Sequence, residues 1–271
     1  MISNTQIYGK RRSLALIKNI IVLIIIAGAF TSCFSQTPRS GISGSYLIKT
    51  AWGGSAPFNE YSPGNSELGC HAIAFAQILY FHRLAPFGKI DYQCSNGKTL
   101  SENVEYTPEW DIFALDQESA TKDTTKMRKT ARFLYYVALV VRKDFGTNQY
   151  INYPKDFHKQ AIESHFNCTL NAIVKNIHSS FYTALKEEPG FYSQIQNEID
   201  SMRPLGFYYT DRTGGGHAVV IDGYTLQDDK MYVHVNFGWF GRSNGWYLLE
   251  KDLPPNVKEI ALITLTPLYT Q

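Results

Sequence analysis

The sequence predicts an α+β fold, because segments with helical patterning come first and segments with strand patterning follow. In 70–82 the apolar residues recur on every side of a helix, and Gln77 is the only clearly polar side chain inside this segment, which predicts a buried helix. From His217 onward, runs rich in β-branched and aromatic residues are separated by the turn LQDD and by Gly-rich turns, which predicts antiparallel strands.

The remaining elements follow the same two patterns. Residues 42–63, rich in Gly, Ser and Pro, predict an extended loop, and 84–125 are loop-rich as well. Helical periodicity predicts a second helix at 125–141. Two weaker helical patterns and three strand patterns complete the prediction: PKDFHKQAIESHF and GFYSQIQNEIDSM for the helices, and 217–221, 231–236 and GWYLLE for the strands.

Composition limits the class of protein. The chain has 271 residues, of which 44% are hydrophobic and 14% aromatic, so it is long enough for one large core, and a single domain is expected after the N-terminal leader. The formal net charge is +2, and no stripe of Lys and Arg interleaved with aromatic residues occurs. We therefore expect no nucleic-acid partner.

The N-terminal residues 1–32 are predicted to be an export signal. A basic stretch at 10–12 precedes the apolar run NIIVLIIIAGAF, which is shorter than the roughly 20 residues of a membrane span. The segment FTSCFS resembles the lipobox of bacterial lipoproteins, so Cys33 is expected to carry lipid, with a tether at 33–41 and the domain at 42–271. This predicts an exported lipoprotein, held to a membrane at the bacterial cell envelope or surface. The alternative is ordinary cleavage nearby, with Cys33 lost or unmodified and the protein secreted.

Three cysteines remain if Cys33 is lipidated, and an odd number favours at least one free thiol. No C-x-x-C motif or zinc-type spacing of Cys and His occurs, so no metal is expected. Cys94 and Cys168 either pair or are both buried and inert, and we expect the latter. Cys70 follows Gly69 at the predicted start of the buried helix, where the helix dipole lowers the pKa of a thiol. It is either a nucleophile or a small buried apolar residue.

His217 is the histidine best placed to act on Cys70. It follows GGG and opens an apolar strand, so the glycines would let its imidazole face an open cleft. A histidine far downstream of a cysteine is the order of papain-like enzymes, in which the two meet across the fold. Asn236 follows on the next strand and could accept a hydrogen bond from the imidazole N–H. His158 lies in a polar context and is expected at the surface. Spacing alone leaves a structural role for all of these residues open.

Five segments occur in order between Trp52 and Leu249: WGGSAPFN, ELGCHAIAFAQILYFH, RPLGFYY, GGGHAVVIDGY and YVHVNFGWFGRSNGWYLL. Together they resemble motifs of the streptopain family of secreted bacterial cysteine peptidases. The resemblance implies a papain-like α+β fold, in which the nucleophile helix packs against an antiparallel sheet. It also implies endopeptidase activity on proteins or peptides, with no cofactor.

The same resemblance implies the roles of individual residues. Cys70 would attack the scissile carbonyl, and His217 would take the thiol proton and return it to the leaving amine. The backbone N–H of Cys70 would be one oxyanion donor. Asn236 and Trp239 would support the His217 side of the cleft.

Two residues depart from the family pattern. Gly54 stands where the family has a glutamine that donates to the oxyanion, and the loss of one such donor costs about 10²–10³ in rate. Phe237 replaces a tryptophan beside the catalytic histidine, and it keeps the apolar wall without the indole N–H. In addition, only about ten residues separate Cys33 from the first domain-like sequence, where family enzymes carry a long inhibitory propeptide. The segment TNQYINYP lacks the Ser- and Gly-rich character of the family's substrate-side loop.

Three functions therefore stay open. The first is an exported, lipid-anchored cysteine peptidase, which the retained Cys70 and His217 favour. The second is a catalytically weak or inactive surface lipoprotein that binds peptides or proteins in the same cleft, which Gly54, Phe237 and the missing propeptide favour, because an inactive domain needs no restraint. The third is acyl transfer by the same thiol in place of hydrolysis.

Overall fold

The computed structural model describes one compact unit of the chain, Thr37–Gln271. Within it the described residues are 37–147, 149–151, 156–176, 189–252 and 257–268. The predicted signal at 1–32 and Cys33 lie outside the described residues, so export and lipidation stay predictions. In the part of the chain that the structure describes, no helix is long and apolar enough to cross a membrane.

The compact unit includes the end of the predicted tether. The backbone N–H of Arg39 donates to the carbonyl of Trp246 at 2.9 Å, and the Arg39 guanidinium forms an ion pair with Asp252 at 2.5 Å. Because these contacts come before residue 42, the contacts of the domain begin inside the predicted tether at 33–41.

The helices account for the first part of the domain. Among the described residues they are α1 (Cys70–Phe81), α2 (Gln117–Lys122), α3 (Thr124–Val140), α4 (Lys159–His165), α5 (Pro189–Asp200) and α6 (Leu249–Asp252). The predictions of α1 and α3 are confirmed to within a residue at each end. The two weaker helical patterns correspond to α4 and α5.

Local chemistry explains where α1 and α3 begin. Gly69 precedes α1 with a φ of +85°, a left-handed conformation that glycine adopts without strain. Asp123 caps α3, and its carboxylate accepts from the backbone N–H groups of Thr125 and Lys126. The side chains of α1 are buried from 71 to 79, as the apolar pattern predicts, so this helix lies inside the domain.

The strands form two antiparallel sheets. In the described residues they are β1 (Lys89–Gln93), β2 (Thr99–Asn103), β3 (Cys168–Asn176), β4 (Leu205–Asp211), β5 (Gly216–Gln227), β6 (Lys230–Asn236), β7 (Gly245–Leu248) and β8 (Val257–Pro267). β1 and β2 pair with each other, and the other six form one sheet in the order β3-β8-β4-β5-β6-β7. The predicted strands near 217, 231 and GWYLLE correspond to β5, β6 and β7.

Several strands escape the sequence patterns. β4 and β8 are buried along most of their length, so they lack the alternation of apolar and polar residues that marks a half-exposed strand. β1 and β2 lie inside the region predicted as loop, and each has only five residues. β3 precedes α5, so the helices do not all come before the strands of the large sheet.

α1 packs against both α3 and β5, and this arrangement positions the cleft. One hydrophobic core joins Ala72 of α1 and Leu134 of α3 with Ala218 of β5 and Ala261 of β8. The first residue of α1 and the first residues of β5 line the same cleft.

Candidate active site

Cys70 is the first residue of α1, and it is partly exposed in a cleft of about 250 Å³. The first N–H groups of a helix have no acceptor within the helix, so they are available beside this thiol. A Cβ on Gly69 would collide with the hydroxyl of Tyr150. Glycine at 69 is therefore required both by its positive φ and by this close contact.

His217 lines the same cleft from the start of β5. The backbone N–H of Ala218, the next residue, acts on the Cys70 thiol and lowers its pKa. The indole of Trp239 stacks on the imidazole, with ring centroids 4.6 Å apart and 28° between the ring planes. The structure thus brings together three of the sequence-predicted site residues: Cys70, His217 and Trp239.

A backbone carbonyl holds the imidazole. His217 Nε2 lies 3.0 Å from the carbonyl oxygen of Phe237. Because a carbonyl oxygen only accepts, Nε2 carries the proton in this contact, and Nδ1 is the basic nitrogen of the neutral ring. The hydrogen bond expected between His217 and the side chain of Asn236 is replaced by this bond to the backbone of the next residue.

Asn236 lies in a buried network of side chains. Its Nδ2 donates to the Thr50 carbonyl at 2.7 Å and to Gln77 Oε1 at 3.0 Å. Its Oδ1 accepts from Gln77 Nε2 at 3.2 Å and from the backbone N–H of Gly238 at 3.0 Å. These bonds tie the end of β6 to α1 and fix the turn that presents the Phe237 carbonyl.

Burial is the largest influence on the ionisation of both candidate catalytic groups. It raises the pKa of Cys70 above its ordinary value, while three backbone N–H groups and the charge of Lys143 lower it. Burial lowers the pKa of His217 to about 4, while the backbone hydrogen bond raises it. Taken one at a time, both groups are neutral, so a thiolate here needs the imidazolium as its counter-charge.

Tyr150 caps α1 from a distant segment. Gly69 has no side chain that could cap the helix, and the Tyr150 hydroxyl accepts the backbone N–H of His71 at 3.1 Å. The ammonium of Lys143 lies 5.3 Å from the centroid of the Tyr150 ring and donates to two backbone carbonyls of the same loop. These contacts hold Tyr150 over the end of the helix that carries the thiol.

A second pair of histidines lies beside Cys70. His71 Nδ1 is 3.2 Å from His158 Nε2. The expectation of a surface position for His158 is wrong: only 2% of the residue is exposed, because its ring packs against Tyr150 and Phe75. Burial lowers the pKa of His158 to about 4 and that of His71 well below its ordinary value, so both rings are neutral near pH 7.

The two residues that depart from the streptopain pattern are both near the site. A Cβ on Gly54 would lie 3.4 Å from the backbone nitrogen of Gly69, so a side chain at 54 would start beside the beginning of α1. Glycine itself contributes no side-chain donor to this space. Phe237 is buried with its ring 6.2 Å from the His217 imidazole, so it forms part of the apolar wall behind that ring.

The remaining described cysteines take no part in the cleft. Cys94 and Cys168 are both buried and free, so they do not pair with each other. Burial raises the pKa of Cys168 to about 12, which makes its thiol unreactive at neutral pH. In the ranges that the structure describes, no group of His, Cys, Asp or Glu is arranged to hold a metal ion.

Comparison with known families agrees with this geometry. Residues 52–247, well over half of the chain, match the model of the Peptidase C10 family. The chain belongs to the Peptidase C10 family. The C10 match includes all the segments that carry Cys70, His217, Asn236 and Trp239.

Streptopains of Streptococcus pyogenes are among the C10 relatives. The streptopain of a serotype M28 strain is 28% identical over 199 residues, which are 69% of this chain and 46% of that protein. The streptopain of serotype M1 is 27% identical over the same length. The chain therefore spans about half the length of the curated relatives it matches.

Two solved structures have a similar fold. The active wild-type interpain A cysteine protease of Prevotella intermedia superposes with a TM-score of 0.64 at 20% identity, covering 81% of this chain and 93% of interpain A. A fragment of prointerpain A superposes with a TM-score of 0.62 at 18% identity, covering 98% of this chain and 86% of the fragment. These matches confirm the predicted fold class, a papain-like α+β fold with a helix packed against an antiparallel sheet.

Proposed function

We propose that this protein is a cysteine endopeptidase that hydrolyses peptide bonds with Cys70 as nucleophile and His217 as general base and acid. One observation carries the proposal: Cys70, at the N-terminus of α1, shares a cleft with an imidazole held by the Phe237 carbonyl and by Trp239. Membership of the Peptidase C10 family supports the reaction class. The proposed reaction uses no cofactor.

In the proposed reaction each atom of the pair has a role. His217 Nδ1 takes the proton of the Cys70 thiol, and the sulfur attacks the scissile carbonyl carbon. The backbone N–H of Cys70 donates to the oxyanion of the tetrahedral intermediate. When the C–N bond breaks, the imidazolium gives its proton to the leaving amine, and a thioester remains. Water deprotonated by His217 then attacks the thioester, and the thiol is regenerated.

Burial disfavours the charged form of the pair, and the groups around the pair oppose this effect. The Phe237 carbonyl accepts from Nε2, and the face of the Trp239 ring attracts a positive imidazolium. On the other side, three backbone N–H groups and the charge of Lys143 favour the thiolate.

Cleavage of unfolded casein under reducing conditions tests the proposal. We expect the full-length protein to cleave casein, the Cys70→Ala variant to be inactive, and the Cys94→Ala variant, which removes a buried free thiol elsewhere, to stay active. An irreversible thiol-directed inhibitor should label one site per chain, at Cys70. A folded protein with neither turnover nor labelling at Cys70 would refute the proposal.

We extend the proposal to location. Residues 1–32 direct export, and a lipid on Cys33 holds the protein at a membrane of the bacterial cell envelope; the lipobox-like FTSCFS supports this. Mass spectrometry of protein extracted from membranes should find a mature N-terminus at Cys33 that carries lipid. A mature N-terminus elsewhere, or an unmodified Cys33, would instead indicate a secreted form.

A second function, binding of peptides or proteins without cleavage, is favoured by Gly54 and by the burial of the thiol. The position of Gly54 supplies no second oxyanion donor, and burial opposes the thiolate. The rate of Cys70 alkylation against pH separates the two functions. A catalytic pair reacts at neutral pH and loses this reactivity in His217→Ala. An isolated cysteine reacts only toward the ordinary thiol pKa of about 8.5 or above, with or without His217.

A further inference from the structure

The wall of the cleft beside His217 carries a carboxylate. Glu259 lines the cleft together with Thr210 and Gly216. Glu259 of β8 pairs with Thr210 of β4, and Thr210 pairs with Gly216 of β5. Directly paired residues of antiparallel strands lie on the same face, so these positions form one row across the sheet. The row ends one residue before His217.

Among the residues that the structure describes, none pairs with Glu259 as a counter-charge. Across the described residues, its carboxylate forms no hydrogen bond and no ion pair. Of the described residues that line the cleft, Glu259 is the only one with a carboxylate, and none is a lysine or an arginine. A cationic group that enters the cleft therefore meets one negative charge and no competing positive side chain from these residues.

Thr210, next to Glu259 in the row, is also incompletely satisfied. Its hydroxyl oxygen is buried and has no hydrogen-bond partner. Buried hydroxyl groups in native proteins nearly always have a partner, so this one calls for an explanation. Thr210 lines the cleft, so a rotation of its side chain that brings the hydroxyl to the cleft surface would let it accept an N–H from a ligand group placed beside Glu259.

The end of the row near His217 carries glycines. A Cβ on Gly216 would lie 2.6 Å from the Tyr209 carbonyl oxygen, and a Cβ on Gly215 would lie 2.6 Å from a carboxylate oxygen of Asp211. Both positions are therefore restricted to glycine, and the protein places no side chain of its own at either of them. Since neighbouring strands are about 4.8 Å apart, the backbone of Glu259 lies about 10 Å from that of Gly216. The extended side chains of lysine and arginine can bridge this distance from a peptide bound beside His217.

We propose that Glu259 is a specificity-determining residue, which binds the cationic side chain of a lysine or arginine within two residues of the scissile bond. This inference rests on the proposed peptidase function. The carboxylate forms a charge-assisted hydrogen bond with the ammonium or guanidinium group, and the Thr210 hydroxyl accepts a second N–H. A neutral apolar side chain at the same place leaves both groups unpaired.

Peptide binding to the full-length Cys70→Ala protein tests the inference without hydrolysis. The probes are fluorescent, N-acetylated, alanine-rich octapeptides with a single arginine moved through successive positions. Each has a matched peptide with citrulline, which has a similar shape but no charge. We expect one arginine position to bind about tenfold more tightly than citrulline, measured by fluorescence anisotropy at low salt. Glu259→Gln should abolish the difference, and Glu105→Gln, at an exposed carboxylate outside the cleft, should preserve it.

A charge reversal completes the test. Glu259→Lys should prefer a peptide with glutamate over its glutamine counterpart at the same position. Arginine and citrulline peptides that bind equally or not at all at every position would overturn the inference, as would a preference that survives Glu259→Gln. Casein cleavage reports on catalysis independently. Casein cleavage without an arginine preference would refute only the proposed role of Glu259. An arginine preference without casein cleavage would support the role of Glu259 in binding and refute the proposed peptidase function.

Discussion

Replacing Asn236 with alanine should destabilise the domain far more than the loss of one hydrogen bond. Asn236 makes four hydrogen bonds, which satisfy the Gln77 amide, the Thr50 carbonyl and the N–H of Gly238. Only 2% of Asn236 and none of Gln77 is exposed, so water cannot readily replace these partners. Each buried polar group left unpaired costs about 1–3 kcal/mol. We therefore expect the free energy of unfolding to fall by about 3–5 kcal/mol.

Asn244→Ala is the matched control at the same turn. The Asn244 side-chain oxygen accepts one hydrogen bond in this turn, from the backbone N–H of Phe237 at 2.9 Å. Its removal should lower the free energy of unfolding by about 1 kcal/mol. Urea denaturation of the wild type and both variants measures the two losses. If Asn236→Ala is no more destabilised than Asn244→Ala, the network does not stabilise the turn as the structure indicates.

Three further outcomes follow from the geometry. Gly54→Gln should raise kcat by up to about 10²-fold, because it places a side-chain donor beside the start of α1. Gly54→Ala adds only a Cβ and should leave kcat unchanged. Casein cleavage measures both variants. Tyr150→Phe should lower the free energy of unfolding by about 1 kcal/mol in urea denaturation, because the His71 N–H loses its acceptor at the helix end. Acid should destabilise the protein, since burial holds the pKa of His82 and His158 at about 4, below the roughly 6.5 of an unfolded chain. The free energy of unfolding is therefore at its full value above pH 6.5, and it decreases as the pH falls toward 4 because the unfolded chain binds protons that the buried histidines do not. Equal urea midpoints at pH 7 and pH 5 would contradict this prediction.

The centre of the site was predictable because its determinants are local. Gly69 and the apolar segment after it fix the start of α1, and this places Cys70 at a helix end without reference to the rest of the chain. In the same way, the glycines before His217 mark the start of β5. A resemblance to known motifs then assigns these local features to the two sides of a cleft.

The surroundings of the site were not predictable because they depend on distant packing. Nothing in TNQYINYP indicates that Tyr150 reaches the first turn of α1, some eighty positions earlier in the chain. The partner of the imidazole is a backbone carbonyl, a group that every residue has, so no side-chain pattern could identify Phe237 as its source. Glu259 lies on a strand that carries no alternating pattern, and only the strand order brings it to the cleft.

The position of β8 has a consequence for the order of events during folding. β8 is the last of the described strands in sequence, yet it lies between β3 and β4 in the sheet. Cys70 and His217 are therefore synthesised before the strand that joins the two parts of the sheet, and pairings over such long sequence separations form late because loop closure precedes them. A nascent chain holds both proposed reacting residues before it has a finished cleft to hold them in, and it gains that cleft only after residues 257–267 have left the ribosome.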